Sequence, residues 1–115
     1  MTINQYIESV LATITPKVPY AFLKYDGSDK TFLVYYSYET PELSVNDGLR
    51  SSIFHFSVVV YSDGNYLDIL QQLRTKFAAA GAVWIEDSAD MYDDDAKIYY
   101  KTADFAVRKG DLPNG

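Results

Sequence analysis

Ser51-Ser52-Ile53-Phe54-His55-Phe56-Ser57-Val58-Val59-Val60-Tyr61, then Ser62-Asp63-Gly64-Asn65 and an amphipathic run that stops at Gly81, decides how the rest of the chain folds. Ile53 to Tyr61 is the densest β-branched and aromatic run in the sequence, the composition of a pleated, half-buried strand. Alternation puts Phe54, Phe56, Val58 and Val60 on one wholly apolar face, and Ile53, His55, Ser57, Val59 and Tyr61 on a mixed one. Residues 62–65 break the run with turn chemistry, and Asp63 or Asn65 is placed to cap a following helix. Tyr66, Ile69, Leu70, Leu73 and Phe77 then recur at helical spacing as one stripe. Asp68 near the start and Arg74 and Lys76 near the end carry the signs that the helix dipole favours. Gly81 ends the helix, being able to take the positive φ of a C-terminal cap. The stripe is expected to lie on the Phe54, Phe56, Val58 and Val60 face. Burying four large side chains from each partner supplies on the order of 10–20 kcal/mol of gross transfer free energy, before chain entropy is subtracted.

Upstream, Thr2-Ile3-Asn4-Gln5 has the pattern of a capping box, with Gln5 reaching back to Thr2. Ile3, Tyr6, Ile7, Val10, Leu11 and Ile14 follow at helical spacing, and Pro16 stops that helix near Thr15. Its polar face carries Asn4, Glu8 and Ser9 with no basic residue, which disfavours a membrane-surface role. Residues 20–25 alternate as a short edge strand. Asp26-Gly27-Ser28-Asp29 has hairpin-turn chemistry, and residues 30–38 form the partner strand. Phe32, Val34, Tyr36 and Tyr38 share one face of that strand, and Thr31, Leu33, Tyr35 and Ser37 the other. Both faces carry rings. Residues 39–48 read as a loop longer than a hairpin needs, a plain surface loop or one that meets a partner.

Downstream, residues 82–87 read as a strand, 88–96 as a polar, acidic hairpin loop and 98–109 as a last strand with Tyr99, Ala103, Phe105 and Val107 on one face. Residues 110–115 read as a frayed tail on a single domain spanning 1–115. The order of elements is α-β-β-β-α-β-β. Short links between the first two and last two strands favour antiparallel pairing. The expected fold is α+β, an antiparallel or mixed sheet of about five strands with two amphipathic helices on one face.

Bulk properties narrow the function. There is no run of about 18 apolar residues to span a membrane, and no basic, apolar leader at the start. Cysteine is absent, which removes disulfide staples and thiolate chemistry. Sixteen acids against ten bases leave a net charge of −6, so the outer surface is not suited to wrapping nucleic acid. Eleven tyrosines are many for 115 residues; tyrosine is enriched where protein surfaces meet, and it is also common on half-exposed sheet faces.

The chemistry-bearing motifs are weak. Asp87, Asp90, Asp93, Asp94 and Asp95 cluster, but residues 92–97 lack the bend glycine and distal Glu of a calcium loop. A solvated hairpin loop accounts for them. His55 is the only histidine, and no Gly-x-Ser-x-Gly elbow accompanies it; it reads as a half-buried sheet residue. Residues 63–65 before a helix lack any phosphate-loop pattern. No catalytic, cofactor or metal site is expected, and the chain does not read as an enzyme.

The strand Phe54-His55-Phe56-Ser57-Val58-Val59-Val60-Tyr61, the helix ending at Gly81, and Tyr92-Asp93-Asp94-Asp95-Ala96-Lys97-Ile98-Tyr99-Tyr100-Lys101 leading into Asp104-Phe105-Ala106-Val107 resemble a known group. They are similar, in this order, to the tail terminator proteins of long-tailed phages and prophages, also called tail completion or head-to-tail joining proteins. The likeness covers residues 50–109; the N-terminal half matches in element order alone, and the doubled Tyr99-Tyr100 departs from the pattern. The resemblance implies a structural virion protein of the tail neck, assembled in the host bacterial cytoplasm. It implies a homo-oligomeric ring, typically a hexamer, that caps the tail tube and docks to the head. The implied partners are further copies of the chain, the major tail tube protein and a head-completion or connector protein, with neither a specific nucleic acid nor a membrane. Exposed aromatics and loop length, not the family motif, suggest the contact residues. Leu33, Tyr35, Val59, Tyr61 and Tyr92 are expected at subunit interfaces. Glu39, Pro41, Glu42, Leu43, Asn46 and Asp47 are expected to meet tube or head. The alternatives are another small phage neck adaptor or binding module and, behind these, an enzyme using the aspartate cluster.

Overall fold

The fold is that of a computed structural model, which describes residues 1–43 and 50–113. Helix α1 (Ile3–Leu11) leads into strands β1 (Tyr20–Phe22), β2 (Thr31–Leu43) and β3 (Arg50–Ser62). Helix α2 (Leu67–Ala79) follows, then β4 (Val83–Asp87), β5 (Met91–Asp93), β6 (Ile98–Arg108) and a 3-10 turn at Lys109–Asp111. The sheet order is β1-β2-β3-β6-β4, and β5 pairs with the free stretch of β6 beside β4. This is the expected α+β architecture, with β5 the one strand beyond the expected set.

Both helices form as their sequences require. The Thr2 hydroxyl accepts from the Gln5 amide while the Gln5 side chain accepts from the Thr2 amide, closing the capping box. At α2 the Asn65 side chain accepts from the Leu67 amide at 2.9 Å. Gly81 takes φ 96°, the left-handed turn that releases the chain into β4. The α2 stripe of Ile69, Leu70, Leu73 and Phe77 packs with Tyr6, Ile7, Val10 and Leu11 of α1 onto Phe56, Val58, Val60 and Phe105. Phe77 sits at the centre, its ring 4.9 Å from those of both Phe56 and Phe105. The Tyr6 hydroxyl, under the same layer, donates to the Ala80 carbonyl at 2.9 Å. Leu112 of the expected tail packs against this core.

Three expectations are corrected here. First, β1 pairs with β2 in parallel, Tyr20 beside Leu33 and Phe22 beside Tyr35. Leu23 adopts φ 64°, so the chain leaves the sheet and loops back instead of folding as a hairpin, with Tyr25 stacked on Phe32 at 4.3 Å. Second, residues 39–43 are not loop: Glu39, Pro41, Glu42 and Leu43 continue β2 in register with Phe54, Ser52, Ser51 and Arg50. Because β1 ends opposite Tyr35, this half of β2 has no outer neighbour among the described residues, and an open edge tolerates the missing Pro41 donor. Asn46 and Asp47 lie outside the described residues. Third, Leu33 and Tyr35 do not belong to the open face of the sheet. They are 0 % and 1 % exposed, covered by the helices of their own chain. The register explains it: Leu33 sits opposite Val60 and Tyr35 opposite Val58, which places them on the Val58 side.

Candidate assembly surface

The face away from the helices is built from rows set by the strand register. Phe32, Tyr61, Tyr100 and Met91 make one row, and Val34, Val59 and Thr102 the next. Tyr36, Ser57, Asp104 and Glu86 follow, then Tyr38, His55, Ala106 and Val83. In the first row the rings of Tyr25, Phe32, Tyr61 and Tyr100 stack in series, with centroids 4.3, 4.7 and 5.5 Å apart. Partial burial and the neighbouring Tyr100, Tyr36 and Asp93 raise the Tyr61 phenol above its ordinary pKa. In the fourth row Tyr38 stacks on His55 at 4.8 Å, and His55 Nε2 lies 3.0 Å from the Thr40 hydroxyl. Tyr38 is 61 % exposed. Such a ladder of rings stabilises the sheet and still offers broad apolar area to a partner.

Of the expected contact residues, Val59 and Tyr61 lie on this face, Val59 buried between its neighbours and Tyr61 half-buried. Tyr92 lies on the other side of the sheet, exposed on β5 and 4.8 Å from the Tyr99 ring. Phe32, Tyr36, Tyr38 and Tyr100 are open-face rings that the sequence reading left off its contact set, Tyr36 and Tyr38 the most exposed of them. Parity with Val34, opposite Val59, is what reveals the three on β2. Across the chain three tyrosines (Tyr6, Tyr35 and Tyr66) are buried and the other eight are partly or fully exposed, so one copy does not hide its phenols.

The acidic residues are employed separately. Asp87 accepts from the Arg74 guanidinium and, at 2.9 Å, from the Trp84 indole, while Arg74 lies 4.6 Å over the Trp84 ring. Asp90 accepts from the Tyr66 hydroxyl and pairs with Lys101 at 3.3 Å; these two partners hold its pKa below the usual carboxylate range. Asp93 accepts from the Asp95 and Ala96 amides and so shapes the β5–β6 turn. Among the described residues no three His, Asp or Glu side chains gather in a way that could hold a metal ion. Among them, too, no helix is long and apolar enough to cross a membrane.

A six-stranded α+β sheet with helices on one face and an aromatic opposite face defines the class. No known family profile and no curated protein matches the chain. Solved structures do. A chain described as "Virion of native gene transfer agent (GTA) particle" is similar at TM-score 0.58 and 12 % identity, over 91 % of this chain and 89 % of that one. A second solved chain is similar at TM-score 0.51 and 12 % identity, over 92 % and 94 % of the two chains. The chain therefore shares its fold, over nearly its whole length, with a chain of a gene transfer agent virion.

Proposed function

We propose that this protein is a structural subunit of a phage or phage-like virion, a tail terminator or head-to-tail joining protein that acts as a ring at the tail neck. The observation that carries the reading is the whole-length fold likeness to a virion chain. The exposed aromatic face supports it, because apolar surface of this kind is left open mainly where a partner covers it. In this reading copies of the chain close a ring on the last turn of the tail tube, end its growth and present a docking surface to the head-completion protein. Tyr61 and Val59, with Tyr36 and Tyr38, lie in the surface covered on assembly. Tyr92 lies near the joint between copies. Glu39, Pro41, Glu42 and Leu43, in the far half of β2, meet the tube or head, and Asn46 and Asp47, outside the described residues, are assigned to the same contact. An acidic ring lumen lets DNA slide through without binding it.

The test combines particle mass by light scattering, negative-stain images and a growth assay with the tube protein of the same virion. The expected outcome is a ring on tube ends, with tubes that stop lengthening when the protein is added. Replacing Tyr36, Tyr38 and Tyr61 together by Ser should leave a folded protein that no longer stops them. A wild-type protein that stays monomeric in the presence of tubes, and leaves them growing, overturns the reading.

A further inference from the structure

The two outer edges of the sheet are unlike each other, and they match. At one edge β1 ends in Phe22, 47 % exposed, and Leu23 follows it, 62 % exposed. Lys17 and Lys24 flank it, and residues 9–25 contain no acid at all. At the other edge β4 presents Val83 and Ile85, 62 % and 53 % exposed. Glu86, Asp87 and Asp90 follow, and residues 77–96 contain no Lys or Arg. Asp87 is already held by Arg74, but Glu86 is exposed and stands directly across from Asp104 in the register. Like charges placed opposite each other in a sheet repel, and a cation brought to that edge relieves them. Lys24 has a fully solvated pairing with Asp26, which costs little to exchange.

The register also brings the edges level. Phe22, Tyr35, Val58, Ala103 and Asp87 form one row straight across the sheet. β1 runs with β2, and each step to β3, β6 and β4 reverses direction, so β1 and β4 are antiparallel. Copies related by rotation about an axis along the strands therefore bring β4 of one beside β1 of the next as an antiparallel pair, without a rise. A closed ring needs two different, complementary patches at the same height, and a rise would give an open helix.

We propose that copies of this chain join edge to edge, β4 of one protomer beside β1 of its neighbour, so that the sheet continues around the ring. The occupant of each edge is thus a second copy. At this level Phe22 stands in the row of Asp87 and Leu23 in the row of Glu86, with Ile85 and Val83 next along β4. Apolar contact therefore comes from Leu23 against Ile85 and Val83, and the charge match from Lys24 against Glu86. This inference rests on the ring reading and specifies its joint.

The absence of cysteine makes the test direct. Leu23→Cys and Ile85→Cys are introduced together, and each alone, and treated with a short bismaleimide; light scattering gives the mass of the untreated wild type in parallel. The double variant should give a ladder of cross-linked species that ends at a closed ring, and each single variant nothing beyond dimer. Glu86→Lys should raise the concentration needed for assembly about tenfold, and adding Lys24→Glu should restore it. Circular dichroism checks that these surface variants stay folded. A wild-type ring without the ladder overturns the edge joint and leaves the ring standing. A ladder that needs the tube protein as its cross-linked member also overturns the joint. A wild type that never exceeds monomer, with or without tubes, overturns both.

Discussion

The Tyr35 hydroxyl donates a hydrogen bond to the Glu8 carboxylate, tying the middle of β2 to the first helix. The ring is fully covered, so this phenol anchors the helical layer and is not a contact group. Burial first, and the Glu8 bond second, raise its pKa. Tyr35→Phe should lower stability by about 1 kcal/mol, since Glu8 is only part-buried and water can replace the lost donor. Tyr35→Asp should abolish folding by placing a carboxylate in the core, whereas Tyr61→Asp should leave a folded chain. Urea denaturation followed by circular dichroism separates these outcomes; a stably folded Tyr35→Asp protein would contradict the placement.

Alkaline stability should decline over a defined range. Burial pushes the Tyr6 phenol up to about 12 from its ordinary 10.0. Burial, then the hydrogen bond to Asp90, does the same for Tyr66, to about 12. Both pKa values are raised in the folded state, so the unfolded chain ionises first. Their stabilising contribution is whole below pH 10 and is lost as pH climbs through about 12. Phenolate absorbance should show late-titrating tyrosines whose ionisation coincides with unfolding. If all tyrosines titrated together near 10 with the fold intact, the burial of these two rings would be wrong.

Asp90 gives the opposite sign. Its pKa is lowered, first by the Tyr66 hydrogen bond and then by Lys101, so its contribution is present above the ordinary value of 3.8 and lost as pH falls below it. Asp90→Asn should lower Tm at neutral pH, and the gap from wild type should close in acid. A gap independent of pH would show that charge plays no part.

Two glycines make a matched pair. Gly81 holds φ 96°, while Gly64 has no such constraint, and a Cβ at either would meet nothing within 4 Å. Gly81→Ala should therefore cost about 1 kcal/mol through the backbone alone, and Gly64→Ala should be neutral or slightly stabilising. Equal effects in a denaturant titration would rule out the left-handed cap.

The residues themselves determined the elements. Phe54, Phe56, Val58 and Val60 alternate on one side, and Ile69, Leu70, Leu73 and Phe77 recur at helical spacing. Each pattern has a single way to hide its apolar groups, so both helices, the central strand and their contact were legible in order. The capping box and the Gly81 stop were legible for the same reason, being local backbone chemistry. What the sequence left open was pairing. Residues 30–38 carry rings on both faces, so either parity would cover a core, and only the register of Tyr35 with Val58 decided that Leu33 and Tyr35 turn inward while Tyr36 and Tyr38 turn out. The parallel β1, the extension of β2 past Glu39 and the level placement of Phe22 with Asp87 depend on long-range hydrogen bonds and on one positive φ at Leu23. Hydrophobic periodicity specifies which groups must be covered; only tertiary contact specifies by whom.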